Sequence, residues 1–248
     1  MTVSTDSDRQ LFERQAVSLV GSWAAYAKGS AGASVQEEDG VSVCVFPTEP
    51  ERSVYNNALL KRGMDADGTA KAISAMERVY QDAGIETYAA WVHETDNVEI
   101  EVLTARGYTF DTSTRVMAMS LDDIKVPRPE IDLSKGSWDE YLRILEVPEG
   151  LLGGVDPDDF HVRTARLDGD SVGTSMAYDF DGDVGVYNVV TLEAARRRGI
   201  GTALTALQVH DARDRGCTTA SLQSTEMAER VYAAVGFRDL GRYLEYTK

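Results

Sequence analysis

The sequence predicts an α/β protein built from two similar halves, and three observations carry that prediction. Apolar, β-branched runs alternate with helical patterns, in a chain of 248 residues whose apolar fraction of 43% can fill a substantial core. The order helix, strand, short helix, Gly-aromatic, strand occurs twice, around Gly84 and Gly107-Tyr108 and again around Gly216 and Gly236-Phe237. Between the copies, Pro127 and Pro129 favour an extended connector over residues 123–132.

In the first half a helix ends at Gly84, a strand follows over residues 86–92, and a short helix closes at Gly107-Tyr108. Residues 113–121 then alternate as a strand does, Thr114, Val116, Ala118 and Ser120 against Arg115, Met117, Met119 and Leu121. After the connector, residues 138–147 read as a helix with Trp138, Leu142 and Leu145 near one face, and residues 155–159 as a loop. Three strands follow, over 161–167, 172–178 and 184–190. Asp168-Gly169-Asp170 and Asp181-Gly182-Asp183 separate them, and Asp-Gly between β-prone runs signals a hairpin. Asp179, Asp181 and Asp183 do not make a calcium loop, because Val184 and Val190 stand where glycine and glutamate are needed. They read as turn residues.

The third strand runs into Arg196-Arg197-Arg198-Gly199-Ile200-Gly201-Thr202, and a helix starts there at once. Glycines allow a tight turn, and the first N–H groups of a helix lack internal acceptors, so this order makes an anion site. No Lys-Ser/Thr pair closes the loop as in Walker A. Leu204 stands where the dinucleotide fingerprint requires its third glycine. A strand over 218–224 and a short helix over 226–235 complete the second copy.

Arg196-x-x-Gly199-x-Gly201 resembles the coenzyme A motif of the GCN5-related N-acetyltransferases (GNAT), and Tyr232-x-x-x-Gly236-Phe237 resembles the ending of that family's domain. The resemblance is specific over about residues 184–240 and rests on element order before residue 160. It implies two tandem GNAT-like domains, each a mixed, mostly antiparallel sheet flanked by helices. Residues 1–122 would form a degenerate copy, 123–132 a linker, and 133–248 the domain binding acetyl-CoA. The first copy lacks the cofactor motif, having Lys61-Arg62-Gly63-Met64-Asp65 before its helix and Leu103 where the second has Tyr232.

The resemblance also implies roles. Main-chain groups of Val190, Thr191 and Leu192 would pair with the pantetheine arm, and the turn Arg197, Arg198, Gly199, Ile200, Gly201 and Thr202 would take the pyrophosphate. Tyr232 would give a proton to the departing thiolate, since a phenol is protonated at neutral pH. Glu193 is a candidate base, with His161 and His93 as others, and attack by an amine that loses its proton to water needs none of them. His210 falls inside a helix and reads as structural. The expected activity is acetyl transfer from acetyl-CoA to a primary amine of a small molecule. The alternative is a non-catalytic acyl-CoA-binding sensor that keeps the fold.

Composition narrows the partners. A net charge of −16, from 25 basic and 41 acidic residues, argues against nucleic acid and would steer a cationic amine. Three scattered histidines and no cysteine pair imply no metal. No apolar run reaches membrane-spanning length, and the polar start does not resemble a signal peptide, so a cytoplasmic protein is expected. Cys44 and Cys217 read as separate thiols.

Overall fold

A computed structural model describes residues 7–50, 55–130, 133–147 and 152–248. The fold is α/β, with mixed, mostly antiparallel strand pairing and flanking helices. The chain forms two compact units, one of residues 1–22, 115–149 and 156–240 and the other of residues 23–114, 150–155 and 241–248. They are called here the C-terminal and N-terminal units. The first helix, α1 (Asp8–Ala27), contributes to both.

The N-terminal unit contains β1 (Ser34–Glu38), β2 (Val41–Val45), β3 (Asn57–Leu60), α2 (Ala66–Asp82), β4 (Ala89–His93), α3 (Asn97–Ala105) and the start of β5 (Thr109–Ser120). Strands β1, β2 and β3 pair antiparallel, and β4 lies parallel to β3. A parallel neighbour needs a crossover, and α2 supplies it. Its inner face carries Ile73, Met76, Val79 and Tyr80 onto Val43, Ala58, Leu60, Ala90 and Val92.

The C-terminal unit holds the end of β5, β6 (Leu133–Lys135), α4 (Trp138–Ile144), β7 (His161–Leu167), β8 (Asp170–Phe180), β9 (Asp183–Thr191), α5 (Ile200–Arg215), β10 (Thr219–Ser224), α6 (Glu229–Val235) and the start of β11 (Arg238–Thr247). Its strand order is β5-β10-β9-β8-β7-β6, with only β9 and β10 parallel. Val184, Val186, Val209, Ala212, Leu222, Tyr232 and Phe237 meet in one core, and Ile200, Leu204 and Leu207 in another.

The order β-α-β-α-β occurs from β3 to β5 and again from β9 to β11, but the last strand of each run divides between the units. The end of β5 pairs antiparallel with β10, and the end of β11 pairs antiparallel with β4. The units therefore do not follow one cut at residues 123–132. Of that segment, residues 131–132 lie outside the described residues, and 123–130 belong to the C-terminal unit. Lys125 N–H donates to the Val235 carbonyl at 2.8 Å, His210 Nε2 meets the Val126 carbonyl at 3.0 Å, and Arg128 pairs with Asp211 and Asp214. Those contacts strap the prolines onto α5 and α6.

The acidic residues of the second hairpin also differ from their expected role. Asp181 is a turn residue with φ of 49°, but Asp183 is buried, accepting hydroxyls from Thr219 at 2.7 Å and Ser221 at 2.6 Å. Burial raises its carboxyl above the ordinary range. Burial works in the same direction on Asp179, but Arg215 and His161 outweigh it and hold that carboxyl well below the usual value. The helix expected over 138–147 ends at Ile144, and that expected over 226–235 starts at Glu229. Both thiols are free, and burial pushes Cys44 up to about 12 and Cys217 up to about 11.

Candidate active site

Strands β9 and β10 pair at three positions, Asp183 with Thr219, Ala220 with Val184, and Gly185 with Ser221. Beyond that point β9 stays with β8 as far as Thr191, while β10 stays with β5 as far as Ser224. The two central strands part, leaving a wedge with backbone polar groups along its β9 side. A bulge bends β9 there. Thr174 faces Val190 but Met176 faces Tyr187, so Ser175 opposes both Asn188 and Val189. Asn188 takes φ of 51°, a left-handed conformation that asparagine tolerates better than most residues.

The bulge decides which amides face the wedge. Leu192 N–H donates to the Val172 carbonyl at 2.9 Å, so Leu192, and with it Val190 opposite Thr174, turns its backbone toward β8. The alternate residues Val189 and Thr191 turn theirs toward the wedge. Of the three residues expected to pair with the pantetheine arm, Thr191 thus turns its backbone to the wedge and Val190 and Leu192 to β8. Close approach of β8 needs Gly173, where a Cβ would lie 2.8 Å from the Val190 carbonyl oxygen and 3.3 Å from Ile200 Cγ2.

A short 3₁₀ turn, Glu193–Ala195, leads into the arginine run. Arg197 has φ of 64° and Gly199 of 78°, so the backbone reverses twice before α5 begins. Arg196 Nε donates to the Thr191 carbonyl at 3.2 Å and ties the turn to the strand end. Gly199 caps α5 without a side-chain hydrogen bond, and no acidic residue lies in the first turn. The N–H groups of Ile200, Gly201 and Thr202 therefore keep the positive end of the helix open. A Cβ on Gly199 would meet nothing within 4 Å, while Arg197, Arg198 and Gly199 are exposed. Open N–H groups at a helix start attract an anion.

Tyr232 lies on α6, is 7% exposed, and sets its ring edge-on to Phe237 at 6.1 Å. Burial pushes its phenol up to about 12, so it holds its proton at neutral pH. The other candidates scatter. Glu193 is exposed on the 3₁₀ turn. His161 Nε2 lies 3.3 Å from Asp179 Oδ2, and His93 belongs to the N-terminal unit, with Nδ1 2.9 Å from Thr95 Oγ1. Among the described residues no group of three or more His, Cys, Asp or Glu is arranged to hold a metal ion.

The start of α2 in the N-terminal unit carries acids instead. Asp65 caps α2 by accepting Gly68 N–H at 2.7 Å, Asp67 lies in the first turn, and the buried Glu99 accepts Met64 N–H at 3.1 Å. Arg62 is held by Asp96 and Thr95. Two N–H groups at the start of α2, those of Met64 and Gly68, are thus bonded to carboxylates. Asn188 and Val189 were not marked as site residues by the sequence. The sole local signal was an asparagine inside an apolar strand, since asparagine is among the few residues that accept φ above zero.

Residues 121–237 match the family model for the acetyltransferase (GNAT) family. The fold is that of the GNAT superfamily. Solved structures agree over nearly the whole chain. A GCN5-related N-acetyltransferase from Kribbella flavida is 19% identical, with a TM-score of 0.69 over 92% of this chain and 95% of that one. One from Sphaerobacter thermophilus is 18% identical, with a TM-score of 0.58 over 94% and 85%. A tandem GNAT protein from the clavulanic acid biosynthesis pathway is 12% identical, with a TM-score of 0.60 over 94% and 95%. At these identities the likeness concerns the GNAT fold alone. A search of curated proteins finds no match. No described helix is long and apolar enough to cross a membrane.

Proposed function

We propose that the C-terminal unit is an N-acetyltransferase that moves an acetyl group from acetyl-CoA to a primary amine of a small molecule by direct attack. The observation that carries this reading is the uncapped start of α5 beside a strand wedge, in the segment that matches the GNAT family. The N–H groups from Arg197 to Thr202 would bind the pyrophosphate, and Val189 and Thr191 would hold the pantetheine arm as an added strand is held.

Acetyl-CoA supplies an activated acyl group on sulfur. An amine lone pair forms the C–N bond, the C–S bond breaks, the sulfur takes a proton and the new amide nitrogen loses one. The chain's part is to orient the thioester, to place an amide N–H where charge builds on the carbonyl oxygen, and to offer the Tyr232 proton to sulfur. Glu193 is the assigned candidate for receiving the amine's proton, and water serves equally. The net charge of −16 favours a cationic acceptor through long-range steering. We also read the chain as two tandem GNAT copies with exchanged last strands, the first without cofactor chemistry. Two free, separate cysteines suit a reducing, cytoplasmic setting.

Titration calorimetry with CoA tests the site, and thiol release from acetyl-CoA over a panel of amines tests the activity. One CoA per chain is expected, with turnover greatest for cationic amines at low salt. Two sites per chain, or tight binding without turnover on any amine, would contradict it. The latter result is what the sensor reading requires.

A further inference from the structure

Asn188 is the residue on which the wedge turns, and its side chain is tethered. Its Nδ2 donates to the hydroxyl oxygen of Tyr141 at 2.7 Å. Tyr141 is 1% exposed and stacks on Trp138 at 5.0 Å, and Trp138 stacks in turn on Phe160 at 5.2 Å. Ser137 caps α4 by accepting Glu140 N–H, fixing the helix that carries both rings. A strained left-handed residue is therefore anchored to a rigid aromatic stack across the unit. Strain of that kind persists only where surroundings over-determine it.

We propose that Asn188 and Tyr141 are positioning residues that lock the bulge so that the Val189 N–H points at the thioester carbonyl. This rests on the acetyl-CoA reading above. The Val189 amide follows the bulge directly, and Ser175, its opposite residue, turns its backbone to the other side, where the Ser175 carbonyl accepts Gln208 Nε2. With the backbone of Ser175 turned away, the Val189 N–H is the one this lock aims into the wedge. A rotation of the Asn188 peptide would swing that N–H away, with no change at the pyrophosphate turn. The lock thus acts on the acetyl group and not on the nucleotide.

The test uses full-length protein with Tyr141→Phe, Asn188→Gly and Asn188→Asp. Phenylalanine keeps the ring stack and removes the hydroxyl that accepts from Asn188. Glycine adopts the left-handed conformation freely and removes the tether. Aspartate can accept from the Tyr141 hydroxyl and so restores it. Two readouts are taken, calorimetric affinity for CoA and for acetyl-CoA, and the ¹³C carbonyl resonance of bound [1-¹³C]acetyl-CoA.

Wild-type protein should bind acetyl-CoA about 2- to 10-fold more tightly than CoA, the worth of one hydrogen bond, and move the carbonyl resonance downfield. Tyr141→Phe and Asn188→Gly should bind CoA as wild type does. They should lose the acetyl preference and return the resonance toward its free position, and Asn188→Asp should recover both. Unchanged resonance in Tyr141→Phe and Asn188→Gly would overturn the lock and leave the cofactor reading standing. Wild-type protein that binds no CoA would overturn the cofactor reading, and the lock with it.

Discussion

Asp183 reaches from the first residue of β9 to hold the Ser221 hydroxyl at 2.6 Å on β10. With Thr219 on its other oxygen, the carboxylate staples the two parallel strands over the three positions at which they pair. The wedge opens immediately beyond. A buried acid thus sets the point from which the strands diverge.

Asp183→Ala should destabilise the protein by about 2–4 kcal/mol, because two buried hydroxyls lose their acceptor and a cavity forms. Urea unfolding measures this. CoA affinity should fall with it, and a stability change below about 0.5 kcal/mol would show that the staple contributes little.

Gly201→Asp should weaken CoA binding at least about 10-fold in calorimetry, since a carboxylate would stand among the open N–H groups of α5 and repel a phosphate. At the start of α2, Asp65→Ala should cost about 1 kcal/mol in urea unfolding through loss of the cap. It should leave CoA stoichiometry at one per chain.

Tyr232→Phe should lower the rate of thiol release about 10²-fold while CoA affinity stays within about 2-fold. The pH dependence follows from the raised phenol, which favours the protonated form in the folded state. Its stabilising effect is complete below the unfolded value near 10 and disappears as pH rises toward about 12. Between pH 9 and 12, roughly, wild type should lose stability faster than Tyr232→Phe. Parallel curves would remove the buried phenol as the cause.

Glu245, opposite Trp91 on β4, is pushed up to about 7 by burial and then by Asp111. Its folded value lies above its unfolded one, so its contribution is full below about pH 4.5 and is lost as pH rises toward 7. Glu245→Gln should therefore stabilise at pH 8 by about 1–2 kcal/mol, allowing for partial exposure, and hardly at all at pH 4.5. Equal effects at both pH values would contradict this.

The parts that glycine and local periodicity control were legible in the sequence. The hairpins at Gly169 and Gly182, the turn at Gly199 and the end of α5 at Gly216 all need φ above zero, and glycine announces them. Non-local facts were hidden. Nothing in the alternation of β5 or β11 says which neighbour it will pair with. Asp183 was misread because Asp-Gly-Asp fits a turn at every position, while its third residue here begins a buried strand. The bulge was hidden too: the phase of Val184 and Val186 continues to Val190 and Leu192, and the extra residue at Asn188 shifts that phase by one.

Strands β5 and β11 each leave the unit in which they begin. During synthesis, this makes the order of completion unusual. The N-terminal unit cannot receive its last strand until residues 243–246 have emerged, about 150 residues after β4 itself. Expressing residues 1–122 alone would leave β4 without that neighbour, and expressing residues 133–248 alone would leave β10 without β5. Each fragment would expose an unsatisfied strand edge and invite aggregation. The N-terminal unit closes only once those distant residues have been made.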